Sequence, residues 1–222
     1  MNDVLLIFSR FPRLGKVKTR LSPALSPRQA LSLHNAFLLD TLERTSRVKA
    51  RRHLFLADCL AEEAREWATR APEAADVAVH LQSGDDLGAR MWNAYREAAG
   101  GAHPAVLIGT DSPTLPVSYI EEAFGSLRHN PVTIGPAEDG GYYLLGLAKP
   151  LRRLFFGIDW GGGQVLRQTL DRLGEAGCRM LPAWRDVDTP ADLVRLKREL
   201  VDGVEDAPRR TARILRTLDA SQ

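Results

Sequence analysis

A cationic loop follows the first apolar segment of the chain. Residues 4–8 are apolar and have the length of a strand, and five lysines and arginines then occur from Arg10 to Arg20, together with Gly15. Glycine lets a backbone approach phosphate groups, and lysine and arginine neutralise their charge. Because ligands bind at the carboxyl ends of strands in open α/β sheets, this loop predicts a phosphate site at that edge. A solvated basic loop would have the same composition.

Three aspartates could hold a divalent cation beside this loop. Asp111 lies two residues beyond the apolar segment 105–109, and Asp186 and Asp188 come shortly before a helix start. Mg²⁺ is bound by one or two carboxylates together with phosphate oxygens of a substrate. Carboxylates two residues apart on an extended segment point the same way. Two structural roles compete with this interpretation: Asp111 could form a turn before Pro113, and Asp188 could cap the following helix.

Two further polar segments flank predicted strands. Glu138 and Asp139 precede a pair of glycines, a pattern typical of a hairpin turn that would also suit a hydroxyl-rich ligand. Residues 82–90 follow another predicted strand and could admit a base or a ribose, or form an ordinary connection. The glycines at 161–163, after Trp160, predict a flexible loop that could cover a site.

Several familiar catalytic motifs are absent from the sequence. The chain has no GxGxxG or GxxxxGK[ST] phosphate-binding motif, no GxSxG nucleophile motif and no zinc-ligand spacing among its five histidines. The missing GxSxG motif weighs against a hydrolase triad. Any phosphate chemistry therefore depends on the basic loop and the aspartates.

Strand-like and helix-like segments alternate along the chain, which predicts an α/β fold with a mostly parallel sheet and helices on both faces. Ser26 with Pro27, and Thr189 with Pro190, are typical helix starts. We expect one domain over residues 1–200, followed by a surface helix or tail over residues 201–222. Strands are predicted at residues 4–8, 53–57, 77–81, 105–109, 132–135, 142–146 and 179–181. Helices are predicted at residues 26–46, 61–70, 86–99 and 164–173. Two more helices are predicted to begin at residues 116 and 189.

Composition narrows the class of partner. The chain has 222 residues, 26% of them charged, and a net charge of only +2. A near-neutral chain argues against nucleic-acid binding, which needs a broad basic face. Cys59 and Cys178 lack metal-ligand spacing, so we expect reduced, buried thiols. No apolar stretch is long enough to span a bilayer and no leader segment is visible, so we expect a cytoplasmic protein.

Four blocks of sequence resemble, in the same order, an uncharacterised bacterial branch of the nucleotide-diphospho-sugar transferase superfamily. They are Phe8-Ser9-Arg10-x-Pro12-x-x-Gly15-x-Val17-Lys18-Thr19-Arg20-Leu21, Gly109-Thr110-Asp111-Ser112-Pro113, Gly135-Pro136-Ala137-Glu138-Asp139-Gly140-Gly141-Tyr142-Tyr143 and Asp186-Val187-Asp188-Thr189-Pro190. The resemblance covers about residues 3–200. It implies a three-layer, Rossmann-like fold of the GT-A type. The superfamily includes enzymes similar to guanylyltransferases and cytidylyltransferases.

The resemblance also implies positions for a nucleotide. The phosphates would contact Arg10, Gly15, Lys18 and Arg20, with Lys18 and Arg20 the most direct. The base and ribose would lie near Gln82, Gly84 and Arg90. One departure concerns the loop after Trp160, where the family pattern has serine or threonine followed by proline and this chain has three glycines. A polar contact from that loop is therefore not expected.

Metal and acceptor positions follow from the same resemblance. Asp111 would be the main ligand of Mg²⁺ or Mn²⁺, in place of the DxD pair of glycosyltransferases. Asp188 would be the second ligand, with Asp186 as the fallback. Glu138 and Asp139 would face the acceptor, either of them as a weak candidate base. The catalytic set implied is Asp111, Lys18, Glu138 and Asp139.

These expectations describe a divalent-metal-dependent transferase that binds a nucleotide-sugar or a nucleoside triphosphate and a small-molecule acceptor. Glycosyl transfer is the family's usual description. Nucleotidyl transfer with release of pyrophosphate is the alternative, favoured by the rich basic loop. A non-catalytic nucleotide-binding module is a second alternative. The sequence leaves the base, the sugar, the acceptor and the oligomeric state open.

Overall fold

The computed structural model describes residues 3–22, 24–100, 103–203 and 206–219. This part of the chain contains seven strands and seven α-helices. The strands are β1 (Val4–Arg10), β2 (Arg51–Ala57), β3 (Ala78–Leu81), β4 (Ala105–Gly109), β5 (Val132–Pro136), β6 (Tyr142–Leu147) and β7 (Arg179–Met180). The helices are α1 (Pro27–Thr45), α2 (Ala61–Arg70), α3 (Leu87–Ala99), α4 (Val117–Ser126), α5 (Val165–Leu173), α6 (Pro190–Asp202) and α7 (Arg209–Asp219).

The strands form one sheet in the order β3-β2-β1-β4-β6-β5-β7. Only β6 runs antiparallel to its neighbours, β4 and β5, among the pairs that the structure describes. Strand β1 is apolar and buried over residues 4–8, and β4 over residues 105–108, because both faces of the sheet are covered there, as is usual in parallel sheets. Phe8 pairs with Gly109 in the parallel register, so the chain leaves β1 and β4 at the same edge.

Helices cover both faces of this sheet, which confirms the expected three-layer α/β fold. On one face, α1, α2 and α4 contribute Leu38, Ala64 and Phe124 to an apolar cluster. On the other face, α3 and α5 contribute Tyr95 and Leu173. The two layers fix the sheet between them and leave its carboxyl edge for loops.

A third apolar cluster lies beside the sheet and packs residues between 21 and 37 against residues between 187 and 218. It brings together α1, α6, α7 and the short 3-10 turn Thr19–Leu21. Asp40 of α1 is fully buried, and its carboxylate accepts the backbone N–H groups of Arg210 (3.0 Å) and Thr211 (2.8 Å) at the start of α7. Helix α7 is thus anchored to α1. The division of the chain at residue 200 stays a prediction, and α6 runs past it to Asp202.

Local sequence signals explain the helix starts. The Ser26 side chain caps α1 and accepts from the Gln29 backbone, with Pro27 in the first turn, as expected. The cysteines depart from expectation, because Cys59 and Cys178 are free but only half-buried. In the described ranges, no helix combines the length and the apolar character needed to cross a membrane.

Candidate active site

Lys18 lies at the centre of the carboxyl edge. Its Nζ lies 2.7 Å from Asp111 Oδ1 and 3.0 Å from Asp188 Oδ1, and it donates a hydrogen bond to the Val187 carbonyl oxygen at 2.7 Å. The side chain is only 5% exposed, whereas those of Asp111 and Asp188 are 45% and 40% exposed. The three segments that the sequence proposed for phosphate and metal binding therefore meet at one ammonium group.

The backbone explains how Lys18 reaches this place. Lys18 has a left-handed conformation (φ 49°, ψ 36°), an uncommon one for a residue other than glycine, and the 3-10 turn Thr19–Leu21 follows it. Val17 and Leu21 on either side are buried and fix the turn. The Lys18 ammonium also lies 5.4 Å from the centre of the Phe37 ring, on the protein side of the site.

Hydrogen bonds tie the aspartate segments together. The hydroxyls of Ser9 and Thr110, at the ends of β1 and β4, lie 3.0 Å apart. The Val187 backbone N–H donates to the Asp111 carbonyl oxygen at 2.9 Å, which draws residues 186–188 across the edge of the sheet. Ser112 donates to Asp186 Oδ1. Asp186 therefore lies beside Asp111 but is held by a hydroxyl and not by Lys18.

Burial and neighbouring charges together shift three pKa values in this cluster. Burial alone would lower the pKa of Lys18, but Asp111 and Asp188 outweigh it and raise the pKa above its ordinary value of 10.5. Burial likewise opposes ionisation of Asp111, yet the Lys18 ammonium holds its pKa below 3.8. Burial raises the pKa of Asp186 to about 6, and the nearby Asp111 carboxylate adds to this rise. At neutral pH, Lys18 and Asp111 are therefore both charged.

The structure excludes the helix-cap role considered for Asp188, and its role as a metal ligand stays a prediction. The cap of α6 is Thr189, whose hydroxyl accepts the Asp192 backbone N–H at 3.3 Å. Asp192 returns a bond by accepting the Thr189 backbone N–H at 2.8 Å. The Asp188 carboxylate points at Lys18 instead, so the alternative of a helix cap at Asp188 is wrong. Asp192 therefore has a structural role in the start of α6.

The other cations of the first loop are divided between partners and solvent. Arg13 pairs with Glu63 at 2.8 Å, and Arg10 lies 4.0 Å from Asp58. Arg20 is 78% exposed and 3.9 Å from Asp188 Oδ2, so it lies beside the site with its guanidinium open to solvent. Gly15 has a φ of +72° and shapes the turn between Arg13 and Lys16. The predicted phosphate contacts of Arg10, Gly15 and Arg20 stay predictions.

Glu138 and Asp139, both expected to face the acceptor, have different partners in the structure. Glu138 forms an ion pair with Arg195 at 2.7 Å and lies 3.7 Å from Arg185. Asp139 Oδ1 accepts the Gly141 backbone N–H at 2.9 Å, which is the turn that the sequence also allowed. The charge of Asp139 contributes to the raised pKa of Asp186, so Asp139 lies on the side of the aspartate cluster. Their roles toward an acceptor stay predictions.

The residues predicted near a base and ribose make local contacts. The Gln82 amide donates to the carbonyl oxygens of Ser9 (3.2 Å) and Phe55 (3.0 Å), at the ends of β1 and β2. Arg90 Nε donates to the Gly84 carbonyl oxygen at 3.1 Å. A Cβ at Gly84 would lie 2.8 Å from the Ala89 backbone, so only glycine fits there. These contacts hold the loop after β3 at the carboxyl edge.

Two residues of the site were not singled out from the sequence. Ser112, the donor to Asp186, is adjacent to Asp111 and could have been suggested by that position alone. Val187 contributes a backbone carbonyl, which no side-chain pattern reveals.

The loop at 161–163 packs closely, because a Cβ at Gly140 would lie 2.2 Å from the Gly163 carbonyl oxygen. Its proposed role as a cover stays untested.

The donor set suits a hard divalent cation. Two carboxylate oxygens and one carbonyl oxygen converge on the Lys18 ammonium, which acts as a stand-in cation. Oxygen ligands of this kind are those of Mg²⁺ and Mn²⁺. Across the described ranges, no group of three or more histidine, cysteine or acidic side chains is arranged to hold a metal ion by itself. A metal here would therefore need oxygens from a substrate or from water.

Comparisons with known proteins identify the family of this chain. The family model "Uncharacterized protein conserved in bacteria (DUF2064)" matches residues 40–162, more than half of the chain. The chain belongs to the DUF2064 family. A search of curated proteins found no match.

Solved structures place this DUF2064 protein among the nucleotide-diphospho-sugar transferases, which confirms the expected resemblance. A protein from Desulfovibrio desulfuricans, whose name assigns it to those transferases, is 34% identical, with 99% of this chain and 96% of that chain covered and a TM-score of 0.89. CMP:2-keto-3-deoxy-manno-octonic acid synthetase complexed with CTP is 14% identical, covers 90% of this chain and 98% of its own, and has a TM-score of 0.55. 4-Diphosphocytidyl-2C-methyl-D-erythritol synthase from Anaerococcus prevotii is 11% identical, covers 98% and 96%, and has a TM-score of 0.56. The last two show a shared fold alone.

Proposed function

We propose that this protein is a divalent-metal-dependent transferase that binds a nucleotide-sugar or a nucleoside triphosphate at the carboxyl edge of its sheet. The observation that carries the proposal is the convergence of Asp111, Asp188 and the Val187 carbonyl oxygen on one cation position beside the loop after β1. The name of the relative from D. desulfuricans supports a nucleotide-diphospho-sugar as the donor.

The residues would divide the work as follows. Asp111 and Asp188 would hold Mg²⁺ or Mn²⁺, and Arg20 would contact phosphate oxygens from the open side of the site. When bound, the metal would supply neutralisation of phosphate charge and alignment of the reacting groups. Asp139 is better placed than Glu138 to face an acceptor, because Glu138 is neutralised by two arginines. Little acid or base chemistry is required of the protein.

Glycosyl transfer and nucleotidyl transfer both fit this site. Nucleotidyl transfer is supported by the cationic loop, since a triphosphate carries more charge. One of the structures that share the fold is complexed with the triphosphate CTP. The two reactions release different products. Nucleotidyl transfer forms pyrophosphate from a triphosphate, whereas glycosyl transfer forms a nucleoside diphosphate from the donor.

A ligand screen tests the proposal. Purified protein is heated with nucleoside triphosphates and nucleotide-sugars, each with and without Mg²⁺ or Mn²⁺, and the melting temperature is recorded. A ligand at about 100 times its Kd stabilises the fold by about 2.7 kcal/mol, which such a screen resolves. We expect a shift that requires the metal and that disappears in Asp111→Asn.

A matched variant separates this role from a general loss of charge. Asp171→Asn removes an exposed carboxylate of α5, outside the site, and should keep the metal-dependent shift. The parental shift in Asp111→Asn would refute the metal role of Asp111. Metal-dependent binding without any turnover in a product assay would instead indicate a binding module.

A further inference from the structure

The three donors of the Lys18 ammonium are all engaged. An ammonium group has three N–H donors, and Lys18 Nζ faces three oxygens at 2.7, 2.7 and 3.0 Å, from the Val187 carbonyl, Asp111 and Asp188. No donor is left over for a phosphate in this arrangement. Lys18 therefore cannot contact a nucleotide and keep these partners at the same time.

The oxygens around Lys18 are those that the proposed function assigns to a divalent cation. We propose that Lys18 is a resident cation, whose ammonium occupies the metal position until a divalent cation displaces it. The displaced Lys18 ammonium then becomes available to a phosphate group of the nucleotide. This inference rests on the proposed function, because both use the same two carboxylates.

The two cations would compete for the same carboxylate oxygens. The Lys18 ammonium lies 2.7 and 3.0 Å from the carboxylate oxygens, whereas Mg²⁺ requires oxygens at about 2.0–2.1 Å. A dication between the same oxygens would lie within reach of the ammonium and repel it. The two binding equilibria are therefore coupled. The free energy that Lys18 gains by pairing with the carboxylates reduces the free energy with which the metal binds.

Exposure shows from which side each cation arrives. The Lys18 side chain is 5% exposed and approaches from the protein side, in contact with Phe37. The carboxylates of Asp111 and Asp188 are 45% and 40% exposed, so solvent reaches their other side. A metal ion can thus approach the carboxylates while Lys18 is still in place. The four-carbon stem of lysine lets the ammonium move without a change of fold.

The proposed exchange also gives a reason for the burial of Lys18, which stability alone does not require. Buried ion pairs often contribute little net stability, because desolvation offsets their attraction. With neither Lys18 nor a metal present, however, Asp111 and Asp188 would repel each other. A resident ammonium keeps the two carboxylates together and ionised until a divalent cation replaces it.

Direct measurement of Mn²⁺ binding tests the exchange. Free Mn²⁺ is followed by electron paramagnetic resonance, without nucleotide, in the parental protein and in Lys18→Met. We expect Lys18→Met to bind Mn²⁺ at least about tenfold more tightly, a change within the usual range of coupling between two ligands. Lys16→Met removes the same charge from an exposed position of the same loop, and it should change the affinity by less than about threefold.

A second measurement uses the parental protein, in case Lys18→Met does not fold. Lysines are labelled with an amine-reactive acylating reagent and the sites are quantified by peptide mass spectrometry. Lys18 should be protected without metal and should react at least about tenfold faster at saturating Mg²⁺, while the exposed Lys16 serves as the internal reference. Unchanged protection of Lys18 when metal is bound would overturn the exchange.

The outcomes separate this inference from the proposed function. If Lys18→Met binds Mn²⁺ no more tightly than the parent, while the parent still shows metal-dependent nucleotide binding, the exchange is wrong and the transferase proposal stands. If no variant binds Mn²⁺, with or without nucleotide, both are wrong. Tight Mn²⁺ binding by Lys18→Met alone, with none by the parent, would support the exchange in its strongest form.

Discussion

Replacement of Asp186 by asparagine tests the electrostatics of the aspartate cluster. Burial raises the pKa of Asp186 to about 6 from its ordinary value of 3.8, and the Asp111 and Asp139 carboxylates add to the rise. The hydrogen bond from Ser112 and the charge of Lys18 oppose it without cancelling it. The folded protein thus binds the Asp186 proton more tightly than the unfolded chain does.

The sign and size of the effect follow from this difference. Below pH 3.8 the carboxyl is protonated in both states and carries no penalty. Between pH 3.8 and about 6 the unfolded chain ionises first, so the penalty for the folded state grows, and above about pH 6 it is complete. Since one pKa unit corresponds to about 1.4 kcal/mol, the full penalty is about 3 kcal/mol. Asp186→Asn should therefore stabilise the metal-free protein at pH 7 and not at pH 4.

Urea unfolding monitored by circular dichroism, with a chelator present, measures this effect from about pH 4 to pH 8. The quantity compared is the difference in unfolding free energy between Asp186→Asn and the parent at each pH, because other titrating groups cancel in it. Asp171→Asn, at an exposed position of α5, should stay within about 0.5 kcal/mol of the parent throughout. A difference for Asp186→Asn that is constant with pH, or negative at pH 7, would refute the reasoning.

Three further substitutions test other contacts of the structure. Asp188→Ser should abolish Mn²⁺ binding with little change in Tm, since Thr189 and not Asp188 caps α6; a large fall in Tm would contradict this. Arg20→Ala should weaken nucleotide binding by about tenfold, measured by calorimetry, while the exposed Arg28→Ala should not; equal affinities would exclude Arg20. Asp40→Ala should cost about 3 kcal/mol or more in urea unfolding, because it leaves two N–H groups of α7 without their acceptor; a cost under about 1 kcal/mol would be inconsistent with that anchor.

Much of the fold was predictable because its signals are local. Apolar runs bounded by turn residues marked the strands, and serine or threonine followed by proline marked the starts of α1 and α6. The position of Asp111 at the carboxyl edge followed from the central strand before it. Local patterns do not specify strand order, so the antiparallel insertion of β6 between β4 and β5 came from the structure.

The pairing within the site was less predictable, because it joins residues far apart in sequence. Lys18 meets Asp188 across 170 positions, and nothing near either residue indicates the other. The basic loop looked uniform, yet Arg13 is paired with Glu63 after β2 while Arg20 stays open to solvent. Composition gave the charge of the loop, and only the tertiary contacts show which charges are available to a ligand.

The third apolar cluster has a consequence for how the protein can be modified. Leu21, one turn after Lys18, and Val187, next to Asp188, share this cluster with Leu215 and Leu218 of α7. Helix α7 therefore packs against the segments that carry Lys18 and Asp188, although it lies far from Lys18 in sequence. Deletion of residues 209–219 would expose the apolar side chains beneath Lys18 and Asp188, so a fusion or tag that preserves α7 is the safer choice for biochemical work on this family.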